Sequence, residues 1–390
     1  MAAPAVTVNT PQVFPRMAIT TMDLEDAGGG KLKFTRFAGV ATKVTFIKDI
    51  EQGPSEGQGG DTNVFYATEM KMEDFHTMLD DDTGIEDIVF YCHGASNDPG
   101  YIFNSYLQMI ALLPPSSKVV LVPVIWPTAE ETFWTGLPVV GDTIVGDLTL
   151  YFADQENAEK SGPLFGQVLA DYVVKYAPTS TRLHMICHSM GNRVLRYTTP
   201  AVRKRMVEVG MASGEEAAVA ASANLVANII MIAADITEKV FHREENPEAT
   251  SDGRAISSLA KQVSVLYSAT DTRLNQSGII NLDKRIGATG AAMDKISPEV
   301  TNVVNVNCKG WNELTENGHN YVERPETMNI VNLLLKARRC TRQTVYCTAH
   351  AFHASTVVGI RGFPSSCLFI VMVCEPETVN IVNLLLEVRR

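Results

Sequence analysis

Short apolar runs recur through the middle of the chain, at Asp87–Tyr91, Lys118–Trp126, Arg182–Ile186, Ala227–Ala234, Gln262–Ser268 and Asn302–Asn307. Between them lie longer stretches whose apolar residues return with helical spacing: Tyr101–Leu113, Pro163–Tyr176 and Gly191–Val207, where Pro200 is expected to kink or divide the helix. Strands apolar on both faces, alternating with amphipathic helices, predict a mostly parallel sheet covered on both sides. Upstream, Val40–Ile47 and Asn63–Thr68 also read as strands. Residues 1–35 are small and polar around Gly28-Gly29-Gly30 and read as a flexible leader. This pattern divides the chain into a leader (1–35), one α/β domain (36–340) and an irregular tail (341–390).

Polar residues fall where these strands end, which is where an open α/β sheet binds its ligands. Cys92-His93-Gly94-Ala95 follows one strand, Trp126-Pro127 the next, Ser189 the third, Asp235 the fourth and Asp271 the fifth, with His319 in the loop after the sixth. Ser189 sits in Met185-Ile186-Cys187-His188-Ser189-Met190-Gly191-Asn192, between an apolar run and a helical pattern. A serine hydroxyl is a weak nucleophile, so it must project from a sharp strand-to-helix turn toward a base, with small neighbours that let the turn close. Gly191 meets that need; Cys187 stands where a second glycine is usual. The competing reading of Ser189 is an ordinary helix N-cap.

His319, in Glu316-Asn317-Gly318-His319-Asn320-Tyr321, is the candidate base, since it lies on a loop able to reach the turn from the other half of the sheet. The acid is Asp271, at the end of the second strand after the turn, or alternatively Asp235, one strand earlier. The N–H groups of Met190 and Ala95 are the candidate oxyanion donors, with Gly94 permitting close approach. His93 is expected to shape that loop, and His188 to point away from the nucleophile. The apolar segment from Phe133-Trp134 to Phe152, including Leu137, is either an acyl-binding wall or part of the core. Gly94, Trp134 and Leu137 are therefore the candidate substrate contacts.

Charge and composition narrow the classes. A net charge of −11 argues against nucleic acid, which needs a concentrated basic surface. No apolar run approaches the roughly 20 residues of a membrane span. The first 22 residues carry no secretory pattern, so a cytoplasmic protein is expected. The cysteines have no regular spacing, so a disulfide scaffold is not expected. His184 and His188 are four apart but on a strand, which would separate them by about 13 Å, so no metal site is assigned to them. No dinucleotide or phosphate-loop fingerprint occurs, and no cofactor is expected.

The motifs His93-Gly94, Trp126-Pro127, His188-Ser189-Met190-Gly191-Asn192, Ala234-Asp235-Ile236, Tyr267-Ser268 with Asp271, and Gly318-His319-Asn320-Tyr321 together resemble a family of α/β-hydrolase-fold, esterase/lipase-like proteins, over about residues 85–338. The resemblance implies Ser189 as nucleophile, Asp271 as acid and His319 as base, acting on a small-molecule ester or acyl substrate through a seryl intermediate. A non-catalytic binding scaffold of the same fold and an acyltransferase are the rival readings. Finally, PETMNIVNLLLKARR at 325–339 recurs as PETVNIVNLLLEVRR at 376–390, identical at twelve of fifteen positions. The first copy suits a terminal helix with Ile330, Val331, Leu334 and Leu335 on one face, while the second carries Ile370 where His319 would stand. Residues 341–390 are therefore expected to be dispensable.

Overall fold

The structure is a computed structural model of the chain, and it describes residues 17–34, 39–53, 64–80, 84–95, 99–114, 118–128, 139–140, 143–144, 148–176, 181–242, 247–308, 318–336 and 344–346. In chain order the strands are β1 (Met17–Met22), β2 (Glu25–Gly28), β3 (Lys31–Phe34), β4 (Val40–Gln52), β5 (Phe65–Met70), β6 (Asp87–Cys92), β7 (Val119–Ile125), β8 (Val139–Val140), β9 (Thr143–Ile144), β10 (Arg182–His188), β11 (Val226–Ile232), β12 (Ala260–Tyr267), β13 (Val303–Asn307) and β14 (Thr344–Tyr346). The helices are α1 (Met72–Asp80), α2 (Pro99–Ala111), α3 (Thr149–Tyr176), α4 (Gly191–Glu208), α5 (Glu215–Ser222), α6 (Pro247–Leu259), α7 (Thr272–Ile280), α8 (Ile286–Thr289) and α9 (Pro325–Lys336).

Among the described residues, twelve strands form one sheet in the order β14-β13-β12-β11-β10-β6-β7-β1-β4-β5-β3-β2. From β14 to β1 every pairing is parallel; beyond β1 the pairings with β4, β5, β3 and β2 are antiparallel. The central strands are the apolar runs of the sequence. Every residue of β6 is buried, as are all but the first of β10. After β6 the chain moves one way to β7, then returns to add β10 on the other flank of β6. That reversal opens a crevice at the carboxyl ends of β6 and β10, the usual binding position in a sheet of this kind.

Three sequence expectations need correction. Residues 17–34 are not a flexible leader: β1 is wholly buried between β4 and β7, and β2 and β3 form a hairpin. Its threonines disguised β1, because Thr20 and Thr21 are buried with their hydroxyls bonded to the Met22 N–H (3.0 Å) and the Ser161 hydroxyl (2.9 Å). The glycine triplet supplies the hairpin turn, with φ of 80°, 64° and 80°. Second, the helix expected from Pro163 starts at Thr149, so Pro163 lies inside α3. Gly162 and Gly166 let α4 approach closely, since a Cβ at either would stand within 2.6 Å of an α4 backbone carbonyl. Pro200 likewise leaves α4 continuous; the carbonyl of Arg196, which loses its usual N–H donor to the proline, accepts the Thr199 hydroxyl at 3.3 Å. Third, the tail reading from residue 341 does not hold throughout, because Thr344–Tyr346 pairs with β13. Trp134, Leu137 and the second helix copy lie outside the described residues.

Candidate active site

The chain ends β10 at His188 and turns into α4 at Gly191. Ser189 makes that turn with φ 52°, a left-handed conformation that a side-chain-bearing residue holds only when its surroundings fix it. Several bonds do so. The Ser189 N–H donates to the Ile232 carbonyl (2.9 Å), and the Ser189 carbonyl accepts the N–H groups of Asn192 (3.1 Å) and Asp235 (3.1 Å). The Asn192 amide donates to the carbonyls of Cys187 (2.8 Å) and Ser189 (3.0 Å). A Cβ at position 191 would meet the His93 carbonyl oxygen at 2.4 Å and that of Cys92 at 2.6 Å, so only glycine fits there. Cys187 does not crowd the turn; its side chain is buried in the main apolar core.

His319 lies between Ser189 and Asp271. Its Nε2 is 2.8 Å from the Ser189 Oγ and its Nδ1 is 2.8 Å from the Asp271 Oδ2. An ionised carboxylate only accepts, so Nδ1 carries the hydrogen and the Nε2 lone pair faces the serine hydroxyl. Asp271 is fully buried at the N-cap of α7, where its other oxygen accepts the Leu274 N–H at 3.0 Å. Both carboxylate oxygens are thus held, which fixes the ring facing them. Asp235 does not reach His319. Its carboxylate is taken by Arg285 (3.0 Å), the Tyr151 hydroxyl (3.0 Å) and the Ser277 hydroxyl, which removes it as the alternative acid.

The loop after β6 closes the site from the opposite flank. Gly94 is so near that a Cβ there would stand 2.9 Å from the Ser189 Cβ. His93 shapes this loop, as the sequence suggests: its Nε2 accepts the Trp126 N–H (3.1 Å), so Nδ1 carries the hydrogen and donates to the Gly94 carbonyl (2.8 Å). The Trp126 indole N–H returns to the His93 carbonyl (3.0 Å), and the two rings stack 5.2 Å apart. Burial pushes the His93 imidazole down to about 4, so it is neutral at pH 7. Among the described residues, the N–H groups of Met190, at the N-cap of α4, and of Ala95 have no backbone acceptor.

His188 turns inward. Its ring lies 5.1 Å from that of His319, and its Nε2 is 3.4 Å from the His319 carbonyl. Burial holds its imidazole well below the ordinary histidine range, so it packs against His319 as a neutral ring. His184 belongs to another cluster at the amino ends of the strands. It accepts the Asn228 amide at Nδ1 (3.0 Å) and donates through Nε2 to Asp87 (2.8 Å), which Arg182 also clasps at 2.7 and 2.8 Å. Those bonds account for both ring nitrogens and leave no lone pair for a metal. Sequence reasoning gave no role to Tyr321, whose hydroxyl meets backbone groups of Ala233 and Leu266 far away in sequence, to Arg285, which holds the Asp235 carboxylate, or to Asn192, whose amide ties the nearby carbonyls of Cys187 and Ser189.

The chain matches, over residues 68–338, the family described as alpha/beta hydrolase of unknown function (DUF900), and it belongs to that family. No curated protein sequence matches it. Among solved structures it is similar to a lipase/esterase from Lactobacillus plantarum, at 10% identity and TM-score 0.27, over 83% of this chain and 88% of that one. It is also similar to the phospholipase PlaB from Legionella pneumophila, at 15% identity and TM-score 0.21, over 56% of this chain and 38% of that one. Among the described residues, no helix is long and apolar enough to cross a membrane.

Proposed function

We propose that the protein is a serine hydrolase that cleaves a carboxylic ester or related acyl bond through a seryl acyl-enzyme intermediate. The observation that carries this reading is His319, set 2.8 Å from both the Ser189 Oγ and the Asp271 carboxylate. His319 Nε2 takes the hydroxyl proton as Ser189 Oγ bonds to the substrate carbonyl carbon, and the carbonyl oxygen gains the negative charge. The N–H groups of Met190 and Ala95 stabilise that oxyanion, aided by the positive end of α4. As the intermediate collapses, the bond to the leaving group breaks and His319 returns the proton to it. Water then repeats the sequence, releasing the acid and restoring Ser189. Gly94 borders the acyl carbon, and Trp134 and Leu137 are proposed to line the acyl chain.

A fluorophosphonate probe tests this reading. The wild-type protein is expected to label at Ser189 and to hydrolyse short p-nitrophenyl esters. Ser189→Ala is expected to lose both while keeping its cooperative melting transition. Folded wild-type protein that never labels at any pH would leave the fold serving as a binding scaffold; labelling with transfer to an added alcohol in place of water would make it an acyltransferase.

A further inference from the structure

Two adjacent strand ends carry left-handed residues other than glycine: Ser189 after β10 (φ 52°) and Ala233 after β11 (φ 46°). They are cross-linked. The Ser189 N–H donates to the Ile232 carbonyl (2.9 Å), and the Asp235 N–H donates back to the Ser189 carbonyl (3.1 Å). On the other flank, the Ala233 N–H is shared between the Leu266 carbonyl (3.1 Å) and the Tyr321 hydroxyl (3.0 Å). That hydroxyl donates to the same Leu266 carbonyl at 3.0 Å. Tyr321 is fully buried and lies two residues after His319, so its hydroxyl anchors the base's loop.

The stretch 232–235 therefore holds the nucleophile's backbone on one side and the base's loop on the other. It is itself fixed from behind. The Gly287 N–H donates to the Ala234 carbonyl (3.0 Å), and a Cβ at position 287 would stand 2.1 Å from the Ala234 nitrogen. The Asp235 carboxylate is clamped by Arg285 and Tyr151, both buried. A proton transfer between Ser189 and His319 depends on their separation within a fraction of an ångström, and neither residue's own loop sets that separation alone.

We propose that residues 232–235 form a shared brace that sets the distance from nucleophile to base, with Tyr321 and Asp235 as its positioning residues. Its catalytic consequence rests on the serine-hydrolase reading; its mechanical part does not. Tyr321→Phe removes the hydroxyl and keeps the ring. In a protein folded by circular dichroism, the rate of fluorophosphonate labelling and kcat are expected to fall about tenfold or more, with KM little changed. Asp235→Asn is expected to act in the same direction from the other end, and it gives the reading if Tyr321→Phe does not fold. Because both act through one stretch, the double variant is expected to lose less than the product of the two single losses. Amide exchange at 188–190 and at 232–235 is expected to quicken together in either variant. A folded Tyr321→Phe that labels at the wild-type rate, or single losses that simply multiply, would overturn the brace. If wild-type protein never labels, the hydrolase reading fails by itself; unchanged exchange in both variants would then overturn the brace independently.

Discussion

At position 94 a single methyl group would stand 2.9 Å from the Ser189 Cβ and 3.1 Å from the His188 Nδ1, closer than carbon atoms pack. Gly94→Ala must push the loop after β6 outward and carry the Ala95 N–H away from the oxyanion. Loss of one such donor costs on the order of 10²-fold in kcat, so a stable Gly94→Ala protein is expected to show a loss of that size on a short ester. An unchanged kcat would remove Ala95 from the role. The choice of acid is tested in the same way. Asp271→Asn is expected to lose on the order of 10⁴-fold, because an amide facing Nδ1 can impose the wrong tautomer on His319. Asp235→Asn is expected to lose far less, and the reverse order would overturn the assignment. Ser189 and His319, which the fold brings within 2.8 Å of each other, could be singled out in the sequence because each sits beside a local signal, a strand-turn-helix pattern and a Gly-His turn. It left the acid open because Asp235 and Asp271 both end apolar strands; what separates them is Arg285, fifty residues beyond Asp235, and that contact exists only in the folded chain.

The strands apolar on both faces were legible in the sequence, and the parallel sheet followed from them; β4 and β5, half-exposed and antiparallel, were legible from their strand-like runs on either side of a turn-rich stretch. β1 was not legible because two buried threonines broke its apolar run, nor was the first half of α3. There the face turned inward carries Asp154, Gln155, Ser161 and Gly162, so no apolar stripe marks it. The duplicated helix was legible as a repeat, and α9 buries Thr327, Met328, Ile330, Val331 and Leu335 of the first copy. Four of these five recur in the second copy at Thr378, Ile381, Val382 and Leu386, with Val379 in place of Met328. The groove already holds α9, so removal of the second copy is expected to leave ester hydrolysis intact. The cut must respect β14, whose loss would bare the edge of β13 from Asn305 to Asn307. Truncation after Tyr346 is therefore expected to keep both activity and solubility, whereas truncation after Cys340 is expected to keep activity but associate more readily. Light scattering and a p-nitrophenyl ester assay on the two proteins distinguish these outcomes, and loss of cooperative melting in both would mean that the tail completes the domain.

Across the whole molecule, three buried histidines link the fold to pH. Burial lowers the imidazoles of His93, His184 and His188 from the ordinary 6.5, His93 to about 4, with Asp87 partly opposing the effect at His184. In the unfolded chain each takes up a proton near pH 6.5, while in the folded chain each stays neutral until the pH is lower. The unfolded state therefore binds more protons between these limits, and stability falls as the pH drops below about 6.5. A group whose folded and unfolded values are well separated contributes up to about 1.4 kcal/mol per pH unit, and the three effects have the same sign, so they add. Asp87 acts in a separate window. Burial raises its carboxyl, but the bonds from His184 and Arg182 outweigh that and leave it below the ordinary 3.8, so its contribution is lost only in stronger acid. Urea unfolding between pH 7 and pH 5 is expected to show a falling midpoint. His184→Gln, far from Ser189 at the amino end of β10, is expected to lessen the slope. A midpoint flat across that range, or a His184→Gln slope equal to that of the wild type, would mean that these imidazoles are not held neutral in the folded protein.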